Sequence, residues 1–221
     1  MELSGDLFST AWLWIFGLFL LPVYRYAVKW ADIRRLAAES LFSPYFGSIV
    51  FLMLLWTLRT EMQAGLYWHV TGMVFLTLMW GWSLALIGGA VALLGLTVAG
   101  LLDWGGMLPT LWLQVVLPAT LTQMVLGVVR AHLPKHFFIF VFINAFFCGG
   151  LTAVVGGFST ALLLAASGAY DWAVLRNEYL ALLPLMVFPE AFINGGVTTV
   201  AVGLRPEWVW SFRDEEYLHG R

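Results

Sequence analysis

The chain has 221 residues, of which 61% are hydrophobic and only 11% charged, with a mean hydropathy of +0.87. Soluble domains are about half apolar, so this is an integral membrane protein, long enough for six or seven crossings of about 20 residues each and too short to add a separate soluble domain. A net charge of −2, with basic residues in short clusters, excludes a nucleic-acid surface, and the lone Cys148 excludes a disulfide within the chain.

The first apolar stretch, 7–24, follows Glu2 and Asp6 rather than the basic segment of a secretory signal, and is expected to be a retained helix. Further apolar stretches cover 41–58, 70–102, 111–129, 137–170 and 179–204, the last interrupted only by Glu190. Lipid offers the backbone no hydrogen-bond partners, and these stretches lack the alternating polarity of barrel strands, so helices are the expected spans. The stretch from Val70 to Leu102 holds no charged side chain. As one helix it would be near 50 Å long, too long for a tilted crossing of a ~30 Å core.

The charge pattern decides how often it crosses. Arg25, Lys29, Arg34, Arg35, Arg130, Lys135, Arg205, Arg213 and Arg221 fall on one side if 70–102 crosses twice and 137–170 once, leaving only Arg59 and Arg176 opposite. The positive-inside rule makes the basic side cytoplasmic. An all-α bundle of about seven transmembrane helices follows, a single domain over 1–221 with spans near 7–24, 41–58, 70–82, 84–102, 111–129, 137–167 and 179–203, the amino terminus outside and the carboxy terminus cytoplasmic. Within 70–102 the reversal falls either at Trp80-Gly81-Trp82 or at Gly88-Gly89. Gly81, Ala85 and Gly89 recur every four residues, as do Gly95 and Ala99, a spacing that lets membrane helices approach closely and supports a turn near Gly81. Such a stripe packs helices within the chain or docks another subunit. Gly149-Gly150 and Gly156-Gly157 mark an expected kink or half-helix.

Candidate chemistry is sparse. His69 opens the long apolar run on the predicted outer face, where a neutral imidazole can ligate a transition metal or simply line the interface. Glu190 is the only carboxylate well inside a span; an acid there costs roughly 2.5–3.5 kcal/mol unless it is protonated, hydrated or paired, so it is expected to face the bundle interior. Asn194, one turn on, shares its side. His132, His136 and His219 fall in basic cytoplasmic segments and read as solvated. No two-histidine zinc-protease motif, phosphate loop or serine elbow is present, so any ATP-driven step needs another chain. Several of the 12 tryptophans sit near span ends, where indoles favour headgroups.

The segment His69-Val70-Thr71-Gly72, followed by an apolar hairpin with Gly81-Trp82 near its turn, resembles the metal loop of CbiM/NikM-type permeases of energy-coupling factor (ECF) ABC transporters. Gly105-Gly106 resembles the family's following loop. Ile193-Asn194-Gly195-Gly196-Val197-Thr198, with Arg205-Pro206 beyond, resembles its closing helix, where the family usually carries Ile-Glu-Gly-x-Ile-Thr. The resemblance implies a substrate-binding membrane component for cobalt or nickel uptake across a prokaryotic cytoplasmic (inner) membrane, without an organic cofactor. It also implies a membrane coupling permease and separate ATPase subunits as partners. It makes His69 a metal ligand beside the amine of Met1. The family begins Met-His, whereas this chain begins Met1-Glu2, so a carboxylate replaces the second imidazole, a change that admits zinc, manganese or a different solute. Asn194 stands where the family has glutamate, and Glu190 lies one turn earlier. The implied site is Met1, Glu2 and His69, with Glu190 and Asn194 as buried polar support. The residues by themselves leave two other readings open, an intramembrane metal enzyme using Glu190, Asn194 and His69, and a scaffold recruiting partner helices.

Overall fold

In a computed structural model, residues 2–213 and Tyr217 are described. Helix α1 (Thr10–Lys29) is followed by a short α2 (Ile33–Ala38) and by α3 (Phe42–Thr57). Strands β1 (Glu2–Leu3), β2 (Thr60–Gln63) and β3 (Leu66–Trp68) form a small sheet in the order β1-β3-β2. Then come α4 (Met73–Trp80), α5 (Trp82–Val98) and three long helices, α6 (Met107–His132), α7 (Phe137–Ser167) and α8 (Trp172–Leu204). The sheet is the one departure from an all-helical reading. It lies among loops at one end of the bundle, where β1 and β2 satisfy β3 on both sides, so it needs no place in the spanning layer.

The chain reverses at Gly81, which ends α4 and starts α5 with φ +81°, a conformation that a side-chain-bearing residue rarely adopts. The two helices run back antiparallel, so Gly88 meets Leu76 and Gly89 meets Met73. Gly89 also lies against Val115 of α6, which means that this small-residue stripe packs helices within the chain. The glycines of α7 do not break it, and Cys148–Ser167 is continuous α-helix. They form its seam with α8 instead, Gly149 against Glu190 and Ala191, and Gly157 against Leu183.

Wider π-helical turns fall at Leu111–Val116, Phe140–Phe147 and Leu175–Tyr179. The first has a visible cause. Pro118 lacks an N–H and its ring crowds the carbonyl four residues back, that of Gln114, so the helix opens there. The segment 171–178, expected as an outer loop, is helical from Trp172, because Leu175 and Tyr179 find buried positions.

Loops segregate to two ends. At one, Gly5 N donates to Asp103 Oδ2 (2.6 Å), Gln63 Nε2 to Glu178 Oε2 (2.6 Å) and Tyr170 OH to the Ala64 carbonyl. At the other, Arg35 Nη2 donates to the Glu207 carbonyl (3.1 Å) and Arg130 Nη2 to the Ser211 carbonyl (2.9 Å). Each end thus gathers groups that the basic-residue asymmetry assigns to one and the same side of the membrane. Between them, Trp14, Leu18, Leu54, Leu162, Leu185 and Phe188 project outward as an apolar belt suited to lipid.

Candidate metal centre

The site sits under the sheet, at the end of the bundle that carries the amino terminus. Strand β1 pairs antiparallel with β3, Glu2 opposite Tyr67 and Leu3 opposite Leu66, which directs the amino end of β1 toward Trp68 and His69. Met1 lies outside the described residues, as does His219. The strand is pinned by Leu3 N donating to Thr110 Oγ1 (3.1 Å) and Ser4 N to the Gly65 carbonyl (2.8 Å). Its neighbour is Gly106, where a Cβ would stand 1.7 Å from the Leu3 carbonyl oxygen, so only glycine allows the approach. Asp103 draws in the adjoining turn; hydrogen bonds from the backbone N–H groups, Gly5 first, hold its carboxyl below the usual range.

The Glu2 carboxylate is taken by Arg59. Both its oxygens accept from Nη1, and the guanidinium lies over the Tyr67 ring, 4.8 Å from its centroid. Burial raises the carboxyl's pKa, and the hydrogen bond and charge of Arg59 oppose that shift.

His69 is 2% exposed. Its Nδ1 lies 3.0 Å from the Val70 carbonyl, which can only accept, so Nδ1 carries the proton and Nε2 keeps a lone pair in the neutral ring. Burial, before any other cause, holds the imidazole well below its ordinary pKa, so the neutral form prevails. Nε2 faces the side-chain amide of Gln114, 3.1 Å from Oε1. Trp56 flanks the ring at 5.8 Å, and its Nε1 donates to the Thr71 carbonyl (2.8 Å). Gln114 escaped the sequence reading, although a glutamine within an apolar, uncharged span, four residues before a proline, is a signal that could have found it.

Glu190 and Asn194 lie below this loop and hold it. The buried Glu190 carboxylate accepts from Thr71 N (2.7 Å), Thr71 Oγ1 (2.5 Å), Gly72 N (3.3 Å) and Asn194 Nδ2 (2.8 Å). Asn194 Oδ1 accepts from Phe75 N (2.9 Å). The N–H groups at the start of α4 are thus capped from α8. Both side chains face the interior, as an intramembrane acid requires. They do not converge with His69 as ligands; among the described residues, no three His, Cys, Asp or Glu side chains group to hold a metal ion. His132 and His136 are exposed near the opposite end, and Cys148 is buried and free.

Bundle and site together define a polytopic membrane protein with its amino-terminal strand paired to the strand that leads into a buried imidazole. The chain belongs to the family described as the cobalt uptake substrate-specific transmembrane region, whose model matches residues 3–208. A solved structure described as a truncated transition metal transporter shares the fold with a TM-score of 0.75, covering 92% of this chain and 99% of that one at 15% identity. No curated protein sequence matches the chain. As a member of this family the protein is a membrane component for metal-ion uptake and not an enzyme.

Proposed function

We propose that the protein is the substrate-binding membrane component of an ECF-type transporter that takes up a divalent transition-metal cation of the cobalt or nickel class. The cation binds at the amino-terminal end of the bundle, with His69 Nε2 as the main side-chain ligand and the Met1 amine beside it. Glu2 serves the site by anchoring β1 through Arg59. The observation that carries this reading is the orientation of the buried His69 ring, whose Nδ1 is tied to the Val70 carbonyl while Nε2 keeps its lone pair toward Gln114.

The nine-to-two division of basic residues supports a reading in which this end lies outside and the cation is captured there; the membrane in this reading is a prokaryotic cytoplasmic one. The chain has no nucleotide-binding motif, and the energy for release comes from a membrane coupling permease and separate ATPase subunits. Elemental analysis and calorimetric titration of cobalt and nickel, on the chain with an untagged amino terminus and on His69→Ala, test the assignment. Metal bound by the first and lost from the second is expected. Equal affinity in both, or no transition metal bound by the unaltered chain, refutes it.

A further inference from the structure

With the Gln114 carbonyl toward the ring, the contact between His69 and Gln114 pairs two acceptors, because Nδ1 holds the ring's proton and Nε2 and Oε1 both offer lone pairs. The same amide has a second irregularity. Its Nε2 is buried without a hydrogen-bond partner among the described residues, and Gln114 is 1% exposed. A half-turn of the amide removes the clash of acceptors, since the NH2 then donates to the imidazole. Both orientations fit one cradle, and each presents a different group to His69.

We propose that Gln114 is a specificity-determining ligand of the transported cation: its carboxamide guards the Nε2 lone pair of His69 and, by turning, offers its carbonyl oxygen as a donor beside that nitrogen. This rests on the metal-binding reading above and adds to it a residue that the resemblance does not supply. The spacing carries the argument. Nitrogen and oxygen donors sit about 2.0–2.2 Å from such an ion, and two donors 3.1 Å apart then subtend about 90–100° at the metal. That is the angle between neighbouring ligands in square-planar or octahedral geometry, whereas a tetrahedral pair would stand about 3.4 Å apart. Gln114 also fills the place in the chemistry that the second residue leaves, since the Glu2 carboxylate is held by Arg59. The wide turn ahead of Pro118 is what aims the side chain inward.

The test uses the full chain with an unmodified amino terminus in detergent, with Co(II) as probe and both calorimetry and visible absorption as readouts. Gln114→Leu is expected to weaken Co(II) binding by about 10–100-fold and to move the d–d bands, because a ligand is lost. Gln114→His, which restores a donor, is expected to keep binding while shifting the bands toward those of a nitrogen-richer site. Wild-type affinity and an unmoved spectrum in Gln114→Leu overturn the proposal. So does weakened binding with an unmoved spectrum, which makes Gln114 a positioning residue, or bands in Gln114→His identical to wild type. Absence of Co(II) binding by the unaltered chain overturns the metal-binding reading together with this one, and is seen before any variant is compared.

Discussion

Replacing Glu190 by leucine removes the acceptor for four donors in the low-dielectric interior. Asn194 Nδ2 keeps its second bond, to the Glu190 backbone carbonyl at 2.8 Å, and the Thr71 hydroxyl can turn. Thr71 N–H and Gly72 N–H have no such alternative. Each buried donor left unpaired costs about 1–3 kcal/mol, so Glu190→Leu is expected to destabilise the fold by about 2–6 kcal/mol, a large share of the 5–15 kcal/mol typical of a folded domain. Glu190→Gln keeps one oxygen but sets an NH2 against a donor, for a loss of about 1–3 kcal/mol.

Because the two freed N–H groups lie two and three residues beyond His69, the metal loop loosens too. Cobalt affinity is expected to fall about 10–100-fold in the leucine variant, the range found when the groups that orient a ligand are removed. Thermal unfolding in detergent and calorimetric titration read the two effects, while carbonate-resistant membrane insertion of the variant stays at the wild-type level. A Glu190→Leu protein that melts with wild type and binds metal equally well would refute the view that this carboxylate caps the loop.

Gly106→Ala sets a Cβ into the Leu3 carbonyl; β1 has to move, and metal affinity is expected to drop at least ~10-fold for a stability loss of about 1–3 kcal/mol, read by titration beside a melting curve. The buried neutral His69 takes a proton only well below its usual pKa near 6.5, whereas the unfolded ring takes one there, so acid lowers stability as pH falls through that value. Metal affinity between pH 8 and 7 is then expected to follow the amino-terminal amine, with a reference pKa near 7.7–8.0, and blocking the amine should flatten that profile. Asp6→Cys is expected to react with an impermeant thiol reagent in intact cells and Glu39→Cys only after lysis; the reverse pattern inverts the membrane orientation.

The spans were legible because lipid leaves no choice: an uncharged run in a bilayer has to be helix, and basic residues sort the loops. Glu190 was legible for the same reason, as a charge that hydrocarbon does not tolerate alone. What it does was not, since its partners Thr71 and Gly72 lie more than a hundred residues away and, apart from the Thr71 hydroxyl, are backbone N–H groups, which no sequence pattern marks. The Glu2 carboxylate illustrates the same limit. Its type suits a metal, and only the fold reveals that Arg59, across a strand pairing, takes it first. Gln114 needed both the opened turn before Pro118 and the meeting of α6 with the His69 loop, and neither follows from local periodicity.

Helix α4 is where these long-range contacts matter most. Eight residues rise about 12 Å, well short of a ~30 Å core, so the helix crosses only with the help of the loop before it and the turn at Gly81. Its backbone ends therefore lie within the protein and need partners from elsewhere, each unpaired group in such surroundings costing several kcal/mol. One end is held by Glu190 and Asn194. At the other, Trp210 N donates to the Met79 carbonyl (2.9 Å) and Ser211 N to that of Leu78 (3.1 Å). Both grips belong to α8 and the segment that follows it, a single continuous stretch of chain. The loop bearing His69 is thus joined through a short, fully buried helix to the opposite end of the bundle, where Arg130 holds Ser211. A displacement of that loop either breaks the Glu190 bonds or carries α4 along and strains the bonds to Trp210 and Ser211, so the His69 loop cannot shift without disturbing contacts that α8 or its following segment makes.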